Sequence, residues 1–138
     1  MKTLVKPKAQ EKPSTQLQIK RGLMFPTVAR FQINQVSAHG TAWLAGQNGF
    51  SGDLKDFLEK TADPRIQVRG LAKFSDDDCD ALIRDLFFKS ELPEWKIHIP
   101  NVGMITGIFQ ITSIEYCGSL DAQISLDNAG LINFSPAK

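Results

Sequence analysis

Along several stretches of the chain, apolar and polar residues alternate with a period of two, the spacing of a strand with one buried face. Ile66, Val68, Gly70, Ala72 and Phe74 share one side, against Arg65, Gln67, Arg69 and Lys73 on the other. Trp95, Ile97 and Ile99 oppose Glu94, Lys96 and His98 between Pro93 and Pro100, and Ala122, Ile124 and Leu126 oppose Asp121, Gln123, Ser125 and Asp127. Thr27 to Val36 alternates through Phe31 and Ile33, Leu17 to Lys20 predicts a short further strand, and Leu131 to Phe134 a last one. From Met104 to Cys117 the apolar phase slips from Ile105, Phe109 and Ile111 to Ile114 and Tyr116, which predicts a bulge near Thr112 and Ser113. Gly118 and Ser119 then read as a two-residue turn closing a hairpin.

Only one segment has a clear helical period. Cys79, Leu82, Ile83, Leu86 and Phe87 fall on one stripe, predicting a helix over 76–88 with Ser75 as its N-cap. Asp76, Asp77 and Asp78 lie in its first turn and Lys89 near its end, as the helix dipole favours. Docking that stripe on the sheet is worth on the order of 8–12 kcal/mol before entropy is subtracted. Between Ser37 and Asp63 the pattern dissolves, because Gly40, Gly46, Gly49 and Gly52 interrupt Trp43, Leu44, Phe50, Leu54, Phe57 and Leu58. Residues 37–63 are therefore expected to form an interaction loop with one short helical turn at Asp53 to Lys60. The predicted fold is mainly β: a β-sandwich or half-open barrel of antiparallel strands flanked by one α-helix, with residues 23–138 as a single domain.

Composition adds limits to this picture. With 138 residues, 42% hydrophobic and 22% charged, the chain has the makeup of one globular domain, and disorder of the whole is excluded. No apolar stretch approaches the ~20 residues that span a bilayer, so a soluble protein without a standard export signal is expected. The net charge of +1 hides an asymmetry: Lys2, Lys6, Lys8, Lys12, Lys20 and Arg21 against Glu11 give residues 1–22 a net +5, and the rest carries −4. A basic segment with Pro7 and Pro13 reads as a flexible N-terminal arm, held either by nucleic acid or by the acidic body of a neighbouring copy.

Candidate chemistry is sparse. His39 and His98 are isolated from Cys79 and Cys117, so no zinc-type spacing exists, and Cys79 lies on the apolar helix stripe. The three aspartates at 76–78 are explained by a capped helix start, since the alternating ligands of a calcium loop are missing. The glycines from Gly40 to Gly52 match no phosphate-binding loop. No catalytic, cofactor or metal site is expected. A single-strand binder on a small barrel is weakened by Trp95, Phe109, Phe74 and Phe31, which fall on apolar faces where core packing explains them.

One resemblance decides among the remaining classes. The segment from Pro93-Glu94-Trp95 through Ile99-Pro100, Gly103 to Gly107, Phe109 to Tyr116, Ser125-Leu126 and Ala129-Gly130 to Phe134 resembles the C-terminal half of the major tail tube proteins of long, non-contractile-tailed phages and gene transfer agents. Upstream, Arg65 to Phe88 looks like the family's strand followed by its single acidic-capped helix. The short Gly118-Ser119 turn departs from relatives that have a longer excursion there, and residues 1–16 match nothing in the family.

What the resemblance implies is a structural virion protein without enzymatic activity. It would be assembled in the host bacterial cytoplasm into hexameric rings that stack into the tail tube through which DNA passes. Tail terminator, tape-measure and distal tail proteins are the partners it implies, with no membrane. Candidate inter-subunit residues are Trp43, Leu44, Phe50, Leu54, Phe57 and Leu58, with Lys2, Lys6, Lys8 and Lys12 of the arm. Candidate lumen-facing residues are Gln32, Asn34, Gln67, Arg69, Gln123, Ser125 and Asp127, from polar strand faces that a monomer of this size cannot all hide. The alternatives are a ring-forming secretion-tube protein of the same fold and a monomeric nucleic-acid-binding β-barrel.

Overall fold

The computed structural model describes residues 16–46, 50 and 52–137. Within them the order is β1 (Gln16–Ile19), β2 (Thr27–Ala38), β3 (Thr41–Leu44), α1 (Gly52–Lys60), β4 (Gln67–Phe74), α2 (Asp77–Lys89), β5 (Glu94–Ile99), β6 (Gly103–Tyr116) and β7 (Asp121–Pro136). All pairings are antiparallel, in the order β1-β5-β6-β7-β4-β2-β3, and β1 also pairs with β2. That last contact closes six of the strands into a barrel, so the expected half-open barrel is closed. The closing stave is the short strand inside the segment read as a mobile arm. Leu17 and Ile19 are fully buried, and Leu17 sits between Ala29 of β2 and Ile97 of β5. Two apolar side chains at strand spacing outweigh the basic character around them, and residues 16–22 belong to the folded body.

The period-two pattern places the barrel interior as expected. Phe31, Ile33, Val68, Ala72, Phe74, Trp95, Ile97, Phe109, Ile124 and Leu126 all belong to one buried cluster. Small barrels are filled by side chains, and this one is filled by Trp95, Phe31 and Phe109. The buried indole needs a partner, and its N–H donates to the Phe109 carbonyl at 3.0 Å. Gly70 is required where β2 bulges: a Cβ there would meet the Gln32 carbonyl oxygen at 2.4 Å and Ile33 Cα at 2.8 Å.

Against β7, β6 shifts register between Ile111 and Ser113, the bulge read from the phase slip, and again between Gly107 and Phe109. Those bulges let β7 run as one strand of 16 residues where the sequence suggested two. The β6–β7 turn is wider than two residues, because Leu120 is drawn off to accept from the Phe74 amide at 2.8 Å and packs against the core.

Helix α2 packs on β6, β2 and β4 through its predicted stripe, with Ile83 and Leu86 buried and Cys79, Leu82 and Phe87 partly so. Its N-cap is Asp76, which accepts from the Cys79 amide at 2.9 Å; that bond holds the carboxyl below its ordinary range. Ser75, expected as the cap, sits one residue ahead of the cap position, and its backbone amide donates to the Val28 carbonyl of β2. The segment expected as a loop is mostly ordered: β2 runs on to Ala38, His39 and Gly40 turn with φ of 52° and 81°, and β3 and α1 follow. Two successive positive φ values make the twisted hairpin turn that suits strand pairing.

Candidate functional site

A broad polar wall runs across the outer surface of β2, β4, β7 and β6. Register runs across it in rows: Arg30, Lys73 and Asp121; then Gln32, Leu71, Gln123 and Glu115; then Gln35, Arg69, Ser125 and Ser113; then Ser37, Gln67, Asp127 and Gln110. Gln32, Gln67, Arg69, Gln123 and Asp127 thus share the outer surface of β2, β4 and β7, and Asn34 sits at the β2 bulge beside them. Ser125 lies on the same face but is buried, receiving the Ser113 hydroxyl at 3.1 Å. The Gln67 amide donates to Asp127 at 3.0 Å. The basic residues (Arg30, Lys73, Arg69) stand on β2 and β4 and the acidic ones (Asp121, Glu115, Asp127) on β7 and β6, so the wall is hydrophilic and carries equal numbers of each sign.

At the end of the barrel where β2 finishes, α1 lies against β7. Phe57 of α1 stacks tilted on Trp43 at 5.0 Å and edge-on to His39 at 5.6 Å, tying the helix to the β2–β3 hairpin. Phe50, Leu54 and Leu58 are buried in the chain's own core, Trp43 and Phe57 are partly buried against it, and Leu44 is 68% exposed. The apolar content of 37–63 is therefore largely consumed within the subunit. Lys2, Lys6, Lys8 and Lys12 lie outside the described residues.

Two polar nodes escaped the sequence reading. Asn128, buried, accepts from the Ile66 amide at 2.8 Å and donates to the carbonyls of Pro64 and Gly130 at 2.9 Å each, stitching the start of β4 to the middle of β7. The signal was its parity, a lone polar residue in phase with Ala122, Ile124 and Leu126. Asp80, also buried, accepts from the Tyr116 hydroxyl and pairs with Arg84 at 3.3 Å, tying α2 to the end of β6. Burial, reinforced by that carboxylate, pushes the Tyr116 phenol up to about 12. His98 is held below its ordinary value by burial and by Lys96, and bonds Gln18 at 2.9 Å. Among the described residues no group of three or more His, Cys, Asp or Glu side chains is placed to hold a metal.

A solid barrel with one broad, charge-balanced polar wall offers surface for assembly instead of a reaction centre. Residues 50–129 match the phage tail tube protein family. The chain belongs to that family. Two solved structures share the fold: the tail of an empty gene transfer agent particle with C6 symmetry and the virion of a native gene transfer agent particle. Each is 24% identical with a TM-score of 0.52, and the alignments cover 87% and 88% of this chain and 94% and 95% of those chains. No curated protein matches the chain. This member of the tail tube family is a structural tail protein and not an enzyme, as the resemblance of residues 65–137 implied.

Proposed function

We propose that six copies of this tail tube protein close into a ring, that rings stack into a tube, and that the polar outer wall of β2, β4 and β7 lines the channel for DNA. The observation that carries this is the wall itself: a hydrophilic sheet face on a barrel whose interior holds the buried Trp95, Phe31 and Phe109. The C6 symmetry of the similar gene transfer agent tail supports the ring size. Basic residues matched in number by acidic ones suit transit, because each phosphate neutralised by a lysine or arginine adds affinity that would slow passage. Leu44, Trp43 and the basic segment with Lys2, Lys6, Lys8 and Lys12 meet neighbouring subunits, while Phe50, Leu54 and Leu58 shape that surface from beneath. Tail terminator, tape-measure and distal tail proteins are its other partners, and assembly takes place in the host bacterial cytoplasm. Electron microscopy of the purified chain tests the reading: six-fold rings and tubes are expected, and a monodisperse monomer at all concentrations overturns it.

A further inference from the structure

Where β1 hands over to β2, Arg21 and Met24 exchange both backbone hydrogen bonds, at 2.8 and 3.1 Å, so that Gly22 and Leu23 form a tight turn with Gly22 at φ 63°. The hairpin is braced on several sides. The Lys20 amide donates to Glu94 of β5 at 2.9 Å, and Gln18 donates through its side chain to the Phe25 carbonyl at 2.7 Å. Lys96 sits 4.4 Å above the Phe25 ring. On this rigid post Leu23 is 97% exposed and Met24 70% exposed. Bare aliphatic side chains held on a fixed turn, where a polar pair would serve a free surface, mark a contact site.

The opposite end of the barrel is concave. β2 carries the chain away from the hairpin, from Thr27 to Ser37 beside Gln67, roughly 33 Å along the strand at ~3.3 Å per residue. Just before Gln67, the segment through Asp63 and Pro64 meets α1 and the C-terminal half of β7 around a cleft of about 410 Å³. The half-buried Ile132 and Phe134 give it an apolar patch, with Leu58 and Pro64 buried beneath, and Glu59 and Asp63 give it an acidic rim.

We propose that the hairpin tip of one copy seats in this cleft of a second copy in the adjacent ring, with Leu23 and Met24 against Ile132 and Phe134 and Arg21 facing Glu59. The proposal rests on the tube reading above and names the contact that stacks its rings. Convex and concave, basic and acidic surfaces at opposite ends of one molecule form a heterologous contact, which repeats without closing and so extends a filament. A tip-to-tip contact would instead set Arg21 against Arg21.

The test uses the full chain and a charge-reversal cycle, Arg21→Glu, Glu59→Arg and both together, with a Leu23→Ser/Met24→Ser variant beside them. All the altered side chains are exposed, so thermal melts of the subunit should match the parent. Electron microscopy should show rings but no tubes for each single reversal and for the tip variant, and tubes again for the double reversal. Normal tubes from the tip variant, loss of rings in it, or failure of the double reversal to restore stacking overturns the proposal. A parent chain that forms no rings overturns the tube reading instead.

Discussion

Replacing Asn128 with Ala should cost this small barrel a large share of its stability. The side chain accepts one hydrogen bond and donates two, from a buried position between β4 and β7. Alanine leaves the buried Ile66 amide without its acceptor, at about 1–3 kcal/mol, and strips a donor from two carbonyls at a smaller cost each. The expected loss is ~2–4 kcal/mol, a substantial part of the ~5–15 kcal/mol that holds a typical domain together. Urea unfolding of the dilute subunit, followed by tryptophan fluorescence, measures it as a lower midpoint at unchanged slope. Asn128→Asp gives a second handle. It keeps the acceptor for Ile66 but sets a carboxylate against the Pro64 and Gly130 carbonyls, so it should lose more at neutral pH and recover partly in acid, where a protonated carboxyl donates again. An Asn128→Ala midpoint within about 0.5 kcal/mol of the parent, the range of an ordinary surface change, would refute the assignment of this node.

Leu86→Ala should cost ~2–5 kcal/mol through lost burial and a residual cavity, with Leu82→Ala costing less because Leu82 is only partly covered; an unchanged thermal midpoint in both would show that the α2 stripe is not core. Tyr116 is the single tyrosine, so its phenolate absorbance reports one group, which should titrate near 12 and move back down in Asp80→Asn; a midpoint near 10 in the parent would show that the clamp is not formed. Because the folded value lies above the unfolded one, the clamp's stabilisation is fully present below about pH 10 and fades as pH rises toward 12. A chain beginning at Gln16 should keep its circular dichroism and thermal midpoint, whereas one beginning at Leu23 lacks β1 and should unfold; a folded chain from Leu23 would contradict the closure of the barrel by Leu17 and Ile19.

The sequence carried most of the barrel because its strands have one dry and one wet face, and alternation reads that directly. It carried less wherever backbone bonding decided the outcome. β3 has two of its four residues, Thr41 and Ala42, outside any apolar phase, and only the twisted turn at His39 and Gly40 pairs it with β2. The cap fell to Asp76 and not Ser75 because the helix begins one residue later than its polar pattern suggests, at Asp77. Closure was hidden for a related reason: charge dominates residues 1–22, and the two buried positions that make β1 a stave weigh little in a count of lysines. Of the candidate site, the polar wall was legible residue by residue, since parity assigns a face. Within 37–63 the helical turn expected at Asp53 to Lys60 is present, but which way its apolar positions face is not legible there, and Leu54 and Leu58, one turn apart, are buried in the chain's own core.

A wall built from packed barrels has a mechanical consequence. With Trp95, Phe31 and Phe109 fully buried in each barrel, the interior of a subunit is occupied by side chains and is not itself a conduit. The tightness of such a pipe is then decided entirely at its seams. Its bore is likewise a matter of how many copies go round and how thick the outer side chains are. Changes inside the barrel can weaken the masonry but cannot widen the pipe, and a leak, where one arises, will trace to the joints between stones.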